Sequence, residues 1–148
     1  MFKKILVALH GSESLKSVEK MVWLISRQHV PVTLIHVLET GLSHYGYMDT
    51  LASSVTKDQF VKYINELAEE QKNSAFELFD RAAGSDELNT NYMTAGGKTG
   101  PEIVKEAESG QYDLVMIGRK QGVKIGNTST KTREYLIARL PCSLFIFN

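Results

Sequence analysis

Residues 112–127 read YDLVMIGRKQGVKIGN, an apolar run set directly against a glycine-punctuated, basic loop. Leu114, Val115, Met116 and Ile117 show no polar alternation. A strand with that pattern has both faces covered, so it belongs inside a parallel sheet with helices above and below. Gly118 ends the run. Gly118, Gly122 and Gly126 allow turns closed to residues with side chains, and Arg119, Lys120 and Lys124 make the loop positive. The helix that follows opens among Thr128, Ser129, Thr130, Lys131 and Thr132, where hydroxyls cap orphan amides or join them around an anion. A phosphate suits such a place. The plainer reading is that a strand-to-helix turn needs its glycines and a surface loop its charges.

The rest of the chain repeats strand, turn and helix. Ile5 to Leu9 is apolar and ends in His10, Gly11 and Ser12, after which Leu15, Val18, Val22 and Ile25 recur at helical spacing. Ser12 or Ser14 suits the N-cap, and Glu13 favours the helix N-terminus electrostatically. Pro31 introduces a second strand, Val32 to Leu38, in which His36 reads as a hydrogen-bonded structural residue. Glu39 to Lys57 has no helical or strand period and reads as a long loop or short irregular helix. A long helix carries Phe60, Ile64, Leu67, Ala75, Leu78 and Ala82 on one face and closes at Gly84. Leu88 to Thr94 alternates polar and apolar residues, as an edge strand wet on one side does.

Gly96, Gly97, Lys98 and Thr99 imitate part of a phosphate-binding loop, but the first glycine of the full motif falls on Tyr92. Thr99 and Glu102 instead predict a capping box, with Pro101 in the first turn and Ile103, Val104 and Ala107 facing inward. Gly110 is expected to end that helix. After the apolar strand and its loop, a last helix with Leu136, Ile137 and Leu140 leads through Pro141 to a final strand, Leu144 to Phe147.

Composition excludes several classes of function. The 148 residues suit one domain, residues 1–148, with a core of its own. Seventeen basic residues balance seventeen acidic ones, so no whole-molecule field favours nucleic acid or an anionic membrane. No apolar run approaches the length of a membrane span, and the opening Met-Phe-Lys-Lys leads straight into a strand. The single cysteine, Cys142, excludes an internal disulfide and fits the cytoplasm, with packing as its expected role. No GxSxG nucleophile, HExxH zinc pair, activated cysteine or paired carboxylate supplies catalysis.

The alternation predicts an α/β fold, an open five-stranded parallel sheet with helices on both faces. Ligands of such sheets lie outside the carboxyl ends of the strands, where the strand order reverses. The segments ILVALHGSES, LIHV, GPEIVKEA, DLVMIG and LPCSLFIF resemble the universal stress protein family, in this order and over nearly the whole chain. The resemblance implies strand order 3-2-1-4-5, the adenine nucleotide α-hydrolase-like arrangement, a usual homodimer and, in one branch, ATP in the crevice between the first and fourth strands. It places Leu9, His10, Val37, Ile117 and Gly118 around an adenosine, and Arg119, Gly122, Thr130, Lys131 and Thr132 on the phosphate side.

The chain departs from the nucleotide-binding branch at several of these places. Gly118 fills the first glycine position, but the second is Gln121, with Gly122 one residue late. The last glycine–hydroxyl pair falls on Lys131 and Thr132, or on Thr130 and Lys131, and the branch's aspartate after the first strand is His10. Neither related adenine-nucleotide enzymes nor receiver modules find their motifs here. His10 to Ser14 holds neither the pyrophosphatase loop nor the transferase histidine pair, and Thr94 and Ala95 stand where a receiver needs its phosphoacceptor aspartate. The expectation is a stress-response or regulatory protein that acts by binding, as a homodimer with protein partners not named by sequence. It requires no cofactor and no metal, and its ATP binding is weak or absent; the alternative is an ATP- or AMP-binding member with a variant phosphate loop. The uncharged final strand, Leu144, Phe145, Ile146 and Phe147, is the expected pairing edge.

Overall fold

The computed structural model describes residues 2–39, 54–118 and 127–148. Strand and helix alternate through β1 Ile5–Ala8, α1 Leu15–Ser26, β2 Val32–Leu38, α2 Ser54–Ala83, β3 Thr90–Gly96, α3 Thr99–Ser109, β4 Leu114–Gly118, α4 Asn127–Arg139 and β5 Ser143–Phe147. Every strand pairing is parallel and the order is β3-β2-β1-β4-β5. That is the expected 3-2-1-4-5 sheet, with its reversal between β1 and β4. The glycine-rich loop with Arg119 and Gly122 lies outside the described residues, as do residues 40–53 and the side chain of Thr130.

Side-chain alternation along the strands builds two cores. Ile5, Val7 and Leu9 face one side with Leu34, Leu114 and Met116, under Val18, Met21, Val22 and Ile25 of α1 and Ala75 and Phe79 of α2. Leu6, Ile35, Val37, Val115 and Ile117 face the other, under Ile103, Val104 and Ala107 of α3 and Leu136 of α4. The apolar runs of β1 and β4, and the mostly apolar β2, are thus explained by coverage on both faces. β3 is wet, with Tyr92 45% exposed and donating its hydroxyl to Asp80 of α2.

Several local expectations shift. β3 is Thr90–Gly96 instead of Leu88 to Thr94, because Val32 already takes its amide partner at the Asn89 carbonyl, 2.8 Å away. α2 begins at Ser54, inside the expected loop. The helix after β3 has Lys98 as its N-cap with no side-chain cap, and the Thr99 hydroxyl donates to Glu39 Oε1 at 2.6 Å instead of closing a capping box. Gly110 does end α3, but the left-handed residue is Gln111, at φ 57°. Gly110 lacks a side chain because a Cβ there would lie 2.3 Å from Tyr112 Cε2.

The strand starts are tied together at Asp113, whose carboxylate accepts from the backbone amides of Lys3 at 2.7 Å and Lys4 at 3.0 Å. Burial opposes its charge, but these amides prevail and hold its pKa below the ordinary carboxylate value. The folded value lies below the unfolded one, so this stabilisation is complete above the unfolded pKa and is lost as pH falls through the folded one. Asp113→Asn should cost on the order of 1 kcal/mol at pH 7 after solvent screening. Urea unfolding should show the variant and wild type converging once the pH falls below the lowered Asp113 pKa; a gap that persists there would assign the effect to packing.

Candidate functional site

The sheet register sets Ala8 beside both Ile35 and Ile117. The carboxyl ends of β1, β2 and β4 therefore meet at the reversal point, which is where such sheets hold ligands. Leu9 continues β1 by one hydrogen bond, its amide donating to the Ile35 carbonyl at 3.2 Å. His10 then leaves the strand, and Gly11, at φ 110°, turns the chain toward α1. Gly11 is forced as well by proximity, since a Cβ would lie 2.9 Å from the Gln71 carbonyl oxygen of α2.

The residue that organises this turn is Glu13. It is 7% exposed, and its carboxylate folds back on the turn, Oε2 accepting from the His10 amide at 2.7 Å and Oε1 from the Gly11 amide at 2.8 Å. It also spans the reversal point: a Cβ on Gly118 would lie 2.8 Å from Glu13 Cγ and 3.1 Å from Met21 Cε. Gly118 is thus needed at the end of β4 so that Glu13 can reach across from the β1 turn. Sequence reasoning assigned Glu13 to the helix dipole, yet the first turn of α1 carries no acidic residue and the N-cap is Ser14, accepting from the Ser17 amide at 3.1 Å. The available signal was spacing, a carboxylate two and three residues after the first amides of the turn that follows β1, which is within reach of them.

Two histidine rings lie behind the turn. His36, 1% exposed, donates from Nδ1 to the Leu9 carbonyl at 2.9 Å, the structural hydrogen bond expected of it. Its ring centroid is 6.2 Å from that of His10. His10 Nδ1 lies 3.3 Å from Ser12 Oγ. His10, Gly11 and Ser12 open onto a small polar cavity of about 180 Å³ whose other wall is Leu67, Glu70, Gln71 and Ser74 of α2. The long helix was not expected to border the site. Its register does place Glu70 and Ser74 one turn apart on the same face.

The expected adenosine-lining residues come together in backbone but divide in side chain. Leu9 packs into the α1–α2 core, whereas Val37 and Ile117 pack into the α3–α4 core at 8% and 7% exposure. They present the rim of the crevice, between which His10 and Gly118 are partly exposed. Lys131, exposed, and Thr132, half-buried, lie in the first turns of α4, which the chain enters on leaving β4. With Glu13 already holding the His10 and Gly11 amides, the β1 turn has little left for an anion. Among the described residues, no cluster of three or more His, Cys, Asp and Glu is placed to hold a metal, and no helix is long and apolar enough to cross a membrane.

Solved structures with this fold include a universal stress protein from Lactobacillus plantarum, 16% identical, covering 99% of this chain and 97% of its own, at a TM-score of 0.68. An Arabidopsis thaliana universal stress protein family member, with AMP bound, is 13% identical over 97% of this chain and 90% of its own, at 0.63. One from Archaeoglobus fulgidus, in complex with dAMP, is 16% identical over 99% of this chain and 98% of its own, at 0.56. Comparison with curated proteins gives no match. The universal stress protein family profile matches residues 1–148 from end to end, so the chain belongs to that family.

Proposed function

We propose that the protein is a regulatory binding module that takes an adenine nucleotide with a single phosphate at the carboxyl ends of β1, β2 and β4. The observation that carries this reading is the Glu13 bridge. It spends the amides of the β1 turn on a carboxylate and leaves the α4 side to meet a phosphate. A compact anion fits that arrangement better than a triphosphate, which the branch's missing glycines at Gln121 and Lys131 also disfavour. The similar structures with AMP and dAMP bound support the same class of ligand. Leu9, Val37 and Ile117 form the apolar rim, His10 and Gly118 the floor, and Arg119, Gly122, Thr130, Lys131 and Thr132 the phosphate side. The weak or absent ATP binding expected from the degenerate motif belongs to the same reading.

The module acts as a homodimer, a reading supported by β5 at the end of the sheet order with Phe145 and Ile146 each 37% exposed. Antiparallel pairing of two copies through Leu144, Phe145, Ile146 and Phe147 would close both edges at once. A cytoplasmic location and regulatory protein partners belong to the same proposal.

Calorimetry tests the ligand. AMP should bind with a Kd of tens of micromolar, and ATP with magnesium no tighter than about 100 μM, roughly 5.5 kcal/mol. His10→Asn should weaken AMP binding severalfold, because the imidazole stands at the mouth of the crevice beside Ser12. Low-micromolar ATP binding would overturn the preference, and equal AMP affinity in wild type and His10→Asn would remove His10 from the site.

A further inference from the structure

On the α1 side of the β5 edge lies a groove of about 610 Å³, lined by Lys16, Glu19, Lys20, Trp23 and Leu24 of α1 and by Phe147 of β5. Trp23, the chain's single tryptophan, is 56% exposed there. Its ring is held in place, with the Arg27 guanidinium carbon 3.9 Å from the ring centroid. An exposed, oriented tryptophan is the kind of side chain that anchors protein interfaces. Phe147 meets Phe145 at 6.4 Å between centroids, and Phe145 meets Phe2 at 6.1 Å, so aromatic surface runs from the groove onto the edge strand.

We propose that this groove is the second part of the homodimer interface, in which a second copy of the chain, paired through β5, buries Trp23. The inference rests on the homodimer reading above and names a surface which that reading leaves out. Three arguments select a second copy as the occupant. A two-fold axis normal to the sheet beside β5 keeps both copies' α1 helices on the same face of one continuous sheet, so the two grooves adjoin across the axis. Strands of five residues pair over only about 17 Å, a strip too short to bury by itself the roughly 800 Å² per partner of a stable interface. The groove is apolar surface contiguous with that edge and supplies the missing area. Its rim carries both signs of charge, Lys16 and Lys20 with Glu19 between them, as a patch that must complement itself requires.

Trp23 fluorescence reads the proposal directly. As wild type is diluted from dimer to monomer, followed by light scattering, the emission should shift to the red and acrylamide quenching should rise several-fold in step with the mass. Trp23→Ala, a change at an exposed position, should raise the dimer dissociation constant at least tenfold while far-ultraviolet circular dichroism stays that of wild type. A dimer by mass whose Trp23 is quenched as in the monomer, or a Trp23→Ala dimer as tight as wild type, overturns the role of the groove without touching β5 pairing. Wild type that stays monomeric at every concentration overturns both readings. Ile146→Pro, which removes a strand donor, should also yield monomer; a fully dimeric Ile146→Pro protein would move the interface away from β5 and overturn the proposal with it.

Discussion

Glu13→Ala should lower the unfolding free energy by about 3 kcal/mol and abolish AMP binding at concentrations that saturate wild type. Two effects add in one substitution. The His10 and Gly11 amides lose a charged acceptor at 2.7 and 2.8 Å in a place where water has poor access, and unsatisfied buried donors cost about 1–3 kcal/mol each. The turn also loses what sets its shape, so His10 and Gly118 no longer flank a fixed crevice. Glu13→Gln retains one acceptor oxygen but sets an amide donor against a backbone donor, and should fall between wild type and alanine in both stability and affinity. Chemical denaturation with calorimetry on the same samples checks this. An alanine variant that binds AMP as wild type does would show that the Glu13 bridge serves folding alone.

Phe79→Ala should cost more stability, about 3–5 kcal/mol, and leave AMP affinity unchanged in the folded fraction. Phe79 is 1% exposed and is among the largest fully buried side chains. It packs from α2 into the core shared with α1, β1 and β4. Removing the ring deletes apolar burial and leaves a cavity that strands paired on both sides cannot collapse to fill. A chain of this length should lose on the order of 10 °C in Tm. The contrast is informative, since Phe79→Ala would damage the fold without the site, and Glu13→Gln the site more than the fold. A Phe79→Ala loss below about 1 kcal/mol would mean that α2 packs more loosely than its burial indicates.

The sheet was legible because β1, β2 and β4 announce themselves as apolar runs too continuous for any strand with a wet face. β2 matches its expected bounds, Val32–Leu38, to the residue. Edges were read less well. β3 slid by two residues because its register is fixed by backbone pairing to β2, and an alternating polar sequence such as LNTNYMT tolerates either register. The capping box failed for a tertiary reason: Thr99 has a better partner in Glu39, sixty residues away in sequence, and no local rule contains it. Around the candidate site, the reversal of strand order between β1 and β4 and the hydrogen bond of His36 were readable. The Glu13 bridge was not, because it joins a turn to a glycine more than a hundred residues later, and glycine gives no sign in sequence of what fills the space beside it.

The central claim is that an adenine nucleotide binds at the carboxyl ends of β1, β2 and β4, beside the Glu13 bridge. Amide chemical shifts of isotope-labelled protein, recorded as AMP is added to millimolar concentration, test it most directly. The shifts should move at Leu9 to Ser12, at Val37 to Glu39, at Ile117 and Gly118 and in the first turn of α4, and stay still along α1 and β5. No change at any amide up to that concentration, or changes confined to another surface, would contradict the account.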